Sequence, residues 1–327
     1  MSDQAIKNPR IKQGWLRVVL FGGAFCLITL LIAIPAVLFI AGVRIEDLQS
    51  TPVQTLSGLL TGNYLWLMLV LECVISLITV GIFRVFVDRK SLMSLGWGFD
   101  GYWVEAVTGL LMGPALLGIS SLLMLFSGHL EWTDIVWDGS QLFISLGLMV
   151  LIAFSEELIF RGYILGNLLD SFSGERPGRP AGGPSGVIDS PSDETGKWIA
   201  LVLSAILFAA FHATNPGIHT LAFANLFLAG LLLGVNYIYT RNLWFSFLFH
   251  ISWNFFQGPL LGFKVSGLSL PSVLQAETKG DLFITGGDFG LEGSILNTAV
   301  SLTAFLILIW AFGRKYQLNG APVTPKV

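Results

Sequence analysis

Eight apolar runs dominate the chain, at about 18–43, 63–83, 103–126, 141–165, 198–214, 219–239, 243–257 and 294–313. A helix needs about 20 apolar residues to cross the hydrocarbon core of a bilayer. Six of the runs meet that length, and the fifth and seventh fall short. Only 12% of the residues are charged, against about 25% in an ordinary soluble domain. The solvent of this chain is therefore lipid. The expected architecture is all-α, a polytopic membrane protein of about eight transmembrane helices around a polar cavity. The first run is too long for a signal peptide, and no small-residue cleavage site follows it, so it reads as an uncleaved span.

The basic residues set an orientation. Lys7, Arg10, Lys12 and Arg17 precede the first run, and Arg84, Arg89 and Lys90 follow the second. Arg176, Arg179 and Lys197 lie between the fourth and fifth, Arg241 follows the sixth, and Arg314, Lys315 and Lys326 close the chain. The opposite side holds Arg44, Lys264 and Lys279. The expectation is a multi-pass protein of the bacterial plasma membrane with both termini cytoplasmic. A net charge of −3 argues against nucleic acid as a partner. Cys26 and Cys73 both sit inside apolar runs and read as small hydrophobes rather than a disulfide framework.

Two loops stand apart. Residues 173–196 carry S-G-E-R-P-G-R-P-A-G-G-P-S-G, a composition that predicts a disordered cytoplasmic insertion. Residues 258–293 read as a long external loop with several glycines and no strong pattern. The chain then divides into an N-terminal three-span region, 1–139, a core, 140–257, and a tail, 258–327, with the outer loop and the last span.

Against this apolar ground the ionisable residues inside the runs are the most informative. A charge at the bilayer centre costs roughly 2.5–3.5 kcal/mol even on lenient scales, and such residues mark functional sites by default. The fourth run ends A-F-S-E-E-L-I-F-R-G-Y. Glu157 and Arg161 are four apart, share a helical face and can pair. Glu156 points about 100° away and is free to face a cavity, where it could serve as a general base. The fifth run supplies Phe208 and His212 one turn apart, and the seventh supplies His250 and Asn254 at the same spacing. The last two offer a ring N–H and an amide donor toward one point, an arrangement suited to an oxyanion. A single histidine in an apolar helix is more often a hydrogen-bonded core residue, but two such spans beside Glu156 shift the balance. One carboxylate, two imidazoles and an amide suit water activation and carbonyl polarisation, so amide hydrolysis is the simplest chemistry that uses all of them. Glu72, in L-V-L-E-C-V-I-S, is a candidate for a role in the cavity by its depth in the span, but has no surrounding motif and is otherwise expected to be a neutral acid bonded to a neighbouring helix.

E-E-x-x-x-R at 156–161, F-x-x-x-H at 208–212 and H-x-x-x-N at 250–254, in that order on separate spans, resemble the CAAX-protease and bacteriocin-processing family of intramembrane endopeptidases. The stretch Y-I-Y-T-R-N-L-W-F-S-F-L-F-H leading into the third motif is similar too. The resemblance covers about residues 140–257. It implies that Glu156 and His212 activate water, that His250 and Asn254 form an oxyanion hole, and that Glu157, Arg161 and Phe208 support them. It implies no cofactor, and a protein or peptide substrate, lipidated or not, drawn from the membrane lipid. The alternatives are a zinc protease with Glu156, His212 and His250 as ligands, and a non-catalytic membrane immunity or adaptor protein.

Overall fold

The computed structural model describes residues 8–42, 64–173 and 191–317. It is built almost wholly of helices: α1 (Gly14–Ile40), α2 (Leu65–Val87), α3 (Trp103–Phe126), α4 (Gly139–Phe172), α5 (Pro191–Phe211), α6 (Thr220–Thr240), α7 (Trp244–Phe255) and α8 (Ile295–Gln317). Among the described residues seven helices are long and apolar enough to cross a membrane. The exception is α7, with 12 α-helical residues before a 5-residue π turn, Phe256–Leu260. It is short because it packs inside the bundle, where Phe245, Phe249, His250, Ser252 and Asn254 are all buried. The eight expected spans thus become seven long helices and one short inner one.

Small residues seat that inner helix. Along α3, Gly109 and Gly113 face it, a G-x-x-x-G spacing that lets two backbones approach closely. A Cβ on Gly109 would stand 2.3 Å from the Phe245 carbonyl oxygen, and one on Gly113 would stand 2.6 Å from the Trp253 amide nitrogen. The Ser252 hydroxyl crosses the seam to the Gly109 carbonyl at 3.3 Å. Gly118 lies further along α3 with nothing within 4 Å of its would-be Cβ. Gly113→Ala is therefore expected to lower the detergent melting temperature by the equivalent of about 1–3 kcal/mol of overpacking, while Gly118→Ala should melt like the wild type. Equal melting of the two variants would show that the seam is not tight.

Helix α4 carries the first motif and is irregular where the motif ends. Asp138 caps its N-terminus, accepting from the Ser140 and Gln141 amides at 3.0 and 3.1 Å. These bonds, with the Ser140 hydroxyl foremost, hold the Asp138 carboxyl below the usual carboxylate range. From Leu158 to Leu165 the helix widens to π geometry, directly after Glu157. Such segments re-aim side chains and recur at functional sites. On the buried side of this segment Tyr163 packs on Phe21 of α1, with ring centroids 4.4 Å apart.

The basic residues assigned to one side of the membrane also hold the bundle together. Asp88, fully buried, meets Arg17 at 3.3 Å and Arg84 at 3.1 Å. Asp170 meets Lys90 at 2.7 Å and Arg241 at 3.8 Å. Of the two cysteines, Cys73 is buried and Cys26 is exposed, so only the first is a core hydrophobe.

The first loop reading needs correction, and the second gains detail. Residues 174–190 of the expected disordered insertion lie outside the described residues, but 191–196 are helical and open α5. The loop 258–293 is structured. Its strand β2 (Leu274–Thr278) pairs antiparallel with β1 (Leu130–Ile135), with Leu130 opposite Thr278 and an irregularity between Trp132 and Asp134. The Trp132 indole donates to the Leu261 carbonyl at 3.0 Å. Lys279 meets Glu131 at 2.6 Å on the exposed face. Three one-turn helices then lead into α8.

Candidate active site

Three helices converge where the motifs meet. Glu157, fully buried near the end of the regular part of α4, accepts from Arg161 Nη1 at 3.0 Å. The same carboxylate oxygen meets His250 Nδ1 of α7 at 2.8 Å. The Arg161 guanidinium lies over the Phe208 ring of α5, 4.4 Å from its centroid, a cation–π contact in a dry setting. A second Arg161 nitrogen reaches the Gly230 carbonyl of α6 at 3.4 Å. One carboxylate thus ties an arginine of its own helix to a histidine of another.

Glu156 turns the other way. Its Oε2 lies 3.6 Å from His212 Nε2 and 3.9 Å from His250 Nε2. That oxygen is buried with no hydrogen-bond partner among the described residues. His212 sits in the turn that ends α5, and its Nδ1 contacts the Phe208 carbonyl at 2.8 Å. A carbonyl only accepts, so Nδ1 carries the proton and Nε2 presents its lone pair toward Glu156 in the neutral ring. Glu157, paired with Arg161, likewise accepts a hydrogen bond from His250 Nδ1. Both imidazoles are therefore oriented by their Nδ1 bonds, and both Nε2 atoms face the Glu156 carboxylate. Phe208 stacks beside His212 with centroids 4.6 Å apart, which makes it a wall of the site.

These groups line one cavity of about 200 Å³, together with Asn254. Its remaining wall is largely apolar, from Ile152, Leu226, Leu233, Phe249 and Leu268 among others. Glu72 of α2 also lines it. That wall is one of the two places its depth in the span allowed. Unforeseen are Asn225 of α6, Ser266 and Glu292 of the outer loop, and Asn297 and Ser301 of α8. Asn225 and Asn297 lie in apolar helices, a signal the sequence offered. Ser266 and Glu292 sit in loop sequence that offered none. Among the described residues no group of three or more His, Cys, Asp or Glu side chains has the spacing of a formed metal site.

Residues 138–256 match the family model of the type II CAAX prenyl endopeptidases, Rce1-like. The segment is Rce1-like. No curated protein and no solved structure matches the chain. The Rce1-like segment runs from the cap of α4 to the end of α7 and contains Glu156, Glu157, Arg161, Phe208, His212, His250 and Asn254. Its family is one of peptide-bond hydrolases, and the seven apolar helices make the protein an integral, multi-pass membrane protein. Glu72, Ser266, Glu292, Asn297 and Ser301 reach the cavity from outside the Rce1-like segment.

Proposed function

We propose that the protein is an intramembrane endopeptidase that cleaves a peptide bond by attack of an activated water, in the manner of the CAAX-type proteases it resembles. The observation that carries this reading is the convergence of both histidine Nε2 atoms on Glu156 Oε2 in a cavity with apolar walls. A water between Glu156 and His212 gives one proton to the carboxylate and hydrogen-bonds the imidazole, which raises its nucleophilicity. The substrate carbonyl oxygen, as it gains charge, takes the Asn254 amide donor. His250 adds a second donor through Nε2 only when both of its ring nitrogens carry protons. Glu156, now protonated, passes its proton to the leaving amine. Glu157 and Arg161 hold His250 in place and touch no reacting atom.

The substrate is a protein or peptide segment, lipidated or not, that enters from the surrounding lipid. Zinc held by Glu156, His212 and His250 is the second reading. What favours it is that each imidazole has its Nδ1 bonded elsewhere, as metal-ligating histidines commonly do. Such a zinc would polarise the carbonyl and the water.

Asn254→Ala separates the two readings. An oxyanion donor contributes roughly 10²–10³ in turnover, so the variant should lose about that factor in kcat with little change in substrate binding. Metal content by mass spectrometry on active, detergent-purified protein completes the test. One equivalent of zinc, lost in step with activity under chelation and restored by re-addition, would overturn the water-and-carboxylate reading.

A further inference from the structure

Helix α2 carries one ionisable side chain deep in its apolar length. Glu72 is flanked by L-W-L-M-L-V-L on one side and C-V-I-S-L-I-T-V-G-I on the other. It is half-buried, and with Leu69, one turn away, it lines the cavity that holds Glu156, His212 and His250. It lies outside residues 138–256, so the family match assigns it no role. The mechanism proposed above does not use it either.

Nothing in the bundle occupies its carboxyl as an ion-pair partner. Its backbone carbonyl accepts from the Ser76 hydroxyl at 2.6 Å, a bond within the helix. Among the described residues no lysine or arginine pairs with its side chain. Arg84, the other ionisable group of α2, is held by Asp88 at 3.1 Å. A bare carboxylate is costly at bilayer depth, so the lipid setting favours the uncharged acid. That form differs from a carboxylate in what it can bond. It presents a donor and an acceptor side by side, whereas a carboxylate only accepts.

A peptide segment under attack in such a cavity has the complementary need. It is extended where it is cut, so its backbone groups have left the helix that satisfied them. Unpaired N–H and C=O groups are expensive in lipid, with no water to take them up. In an extended chain the N–H and C=O of one residue point the same way, and a neighbouring strand bonds both at once. An uncharged carboxyl on the cavity wall offers the same two bonds.

We infer that Glu72 is a substrate-binding residue which, as the uncharged acid, bonds the backbone N–H and C=O of one extended substrate residue beside the scissile bond. This rests on the endopeptidase reading and adds to it a wall of the substrate site outside the Rce1-like segment. Two other roles predict different results. A proton carrier in the chemistry would need a titrating group and would act on kcat. A purely structural group would act on folding.

The test uses the full chain in detergent and quenched apolar peptides in which one amide at a time, away from the scissile bond, is replaced by an ester. Each ester removes one N–H donor. In wild type one ester position should raise KM about tenfold, a difference of about 1.4 kcal/mol, with kcat held within about twofold. Glu72→Leu should raise KM about tenfold on the all-amide peptide and suffer no further penalty from that ester. Glu72→Gln, which returns a donor and an acceptor without a titrating group, should recover most of the loss and the ester penalty with it.

Glu72→Gln as poor as Glu72→Leu would show that a titrating carboxyl is required and overturn the inference. So would a fall in kcat at unchanged KM in Glu72→Leu, or ester and Glu72→Leu penalties that simply add. A wild type indifferent to every ester would overturn it while leaving the protease standing. Cleavage by wild type no greater than by Glu156→Gln would overturn the protease reading itself. Fluorescence anisotropy of the same peptides then decides the binding role separately. The ester and Glu72→Leu should each weaken binding about tenfold, and equal binding would overturn the inference. Glu72→Ala takes the place of Glu72→Leu if the latter does not fold, and loss of the fold in both would make Glu72 a structural group and overturn the inference.

Discussion

Glu156→Gln should fold, insert and melt like the wild type, and lose turnover by roughly 10²–10⁴, the range for removing a general base. The expectation of normal folding follows from what Glu156 Oε2 does in the protein. It makes no hydrogen bond among the described residues, and its histidine neighbours stand at 3.6 and 3.9 Å. An amide fills the same volume without a charge in a dry cavity, and no hydrogen bond of that oxygen is lost. His212 and His250 keep their Nδ1 bonds to Phe208 and Glu157 in the variant, so the site keeps its shape and loses only its proton acceptor. The measurement is single-turnover cleavage of a membrane-reconstituted substrate beside a detergent melting curve. Wild-type turnover in a well-folded Glu156→Gln variant would remove Glu156 from the mechanism and leave His212 as the base to examine.

The spans were legible because lipid imposes a length and a composition that survive every detail of packing. The third run, 103–126, matches α3 at both ends. The fourth was read too short. Its polar C-terminal part, with Arg161, Asn167 and Asp170, continues helical to Phe172 because those groups are bonded inside the bundle, Arg161 to Glu157 and Asp170 to Lys90. Hydropathy counts such residues as exits from lipid, whereas burial against a partner lets the helix run on. The β1–β2 pair was not legible. L-E-W-T-D-I and L-Q-A-E-T are separated by more than a hundred residues of membrane helix, and only their pairing makes either one a strand.

Within the site, spacing on a helix revealed what one helix can show. The four-residue interval of Glu157 and Arg161 became an ion pair at 3.0 Å. It could not reveal the 2.8 Å contact between Glu157 and His250, 93 residues apart. That contact changes the reading of His250. An i, i+4 pair with Asn254 suggests two ready donors, but Nδ1 is already committed, so the ring offers only Nε2. Glu72 was visible as an unexplained carboxylate, and its companions in the cavity were not, since nothing in α2 itself points to α4 or α5.

Glu157→Gln is the substitution expected to damage the fold most. Glu157 is fully buried and is the carboxylate partner of Arg161, which is 1% exposed. The Gly230 carbonyl at 3.4 Å and the Phe208 ring at 4.4 Å also contact the guanidinium, and neither carries a compensating charge. Removing one partner of a buried ion pair leaves a charge stranded and typically costs about 3–5 kcal/mol, a large share of the roughly 5–15 kcal/mol that holds a domain together. The introduced amide would keep an oxygen for Arg161 or for His250 Nδ1, but as a neutral acceptor. The variant should therefore give a low yield of folded protein in detergent and a melting temperature well below that of Glu156→Gln, its chain neighbour with the same chemical change. The contrast is the useful quantity, because both replace a buried carboxylate by an isosteric amide and differ only in what that carboxylate touches. Arg161→Met in the Glu157→Gln background removes the stranded charge and should recover part of the lost stability, though not the activity, since His250 would still lack its anchoring carboxylate. If Glu157→Gln instead melts with the wild type and the double variant gains nothing, Arg161 is neutralised from elsewhere and Glu157 does not anchor the bundle.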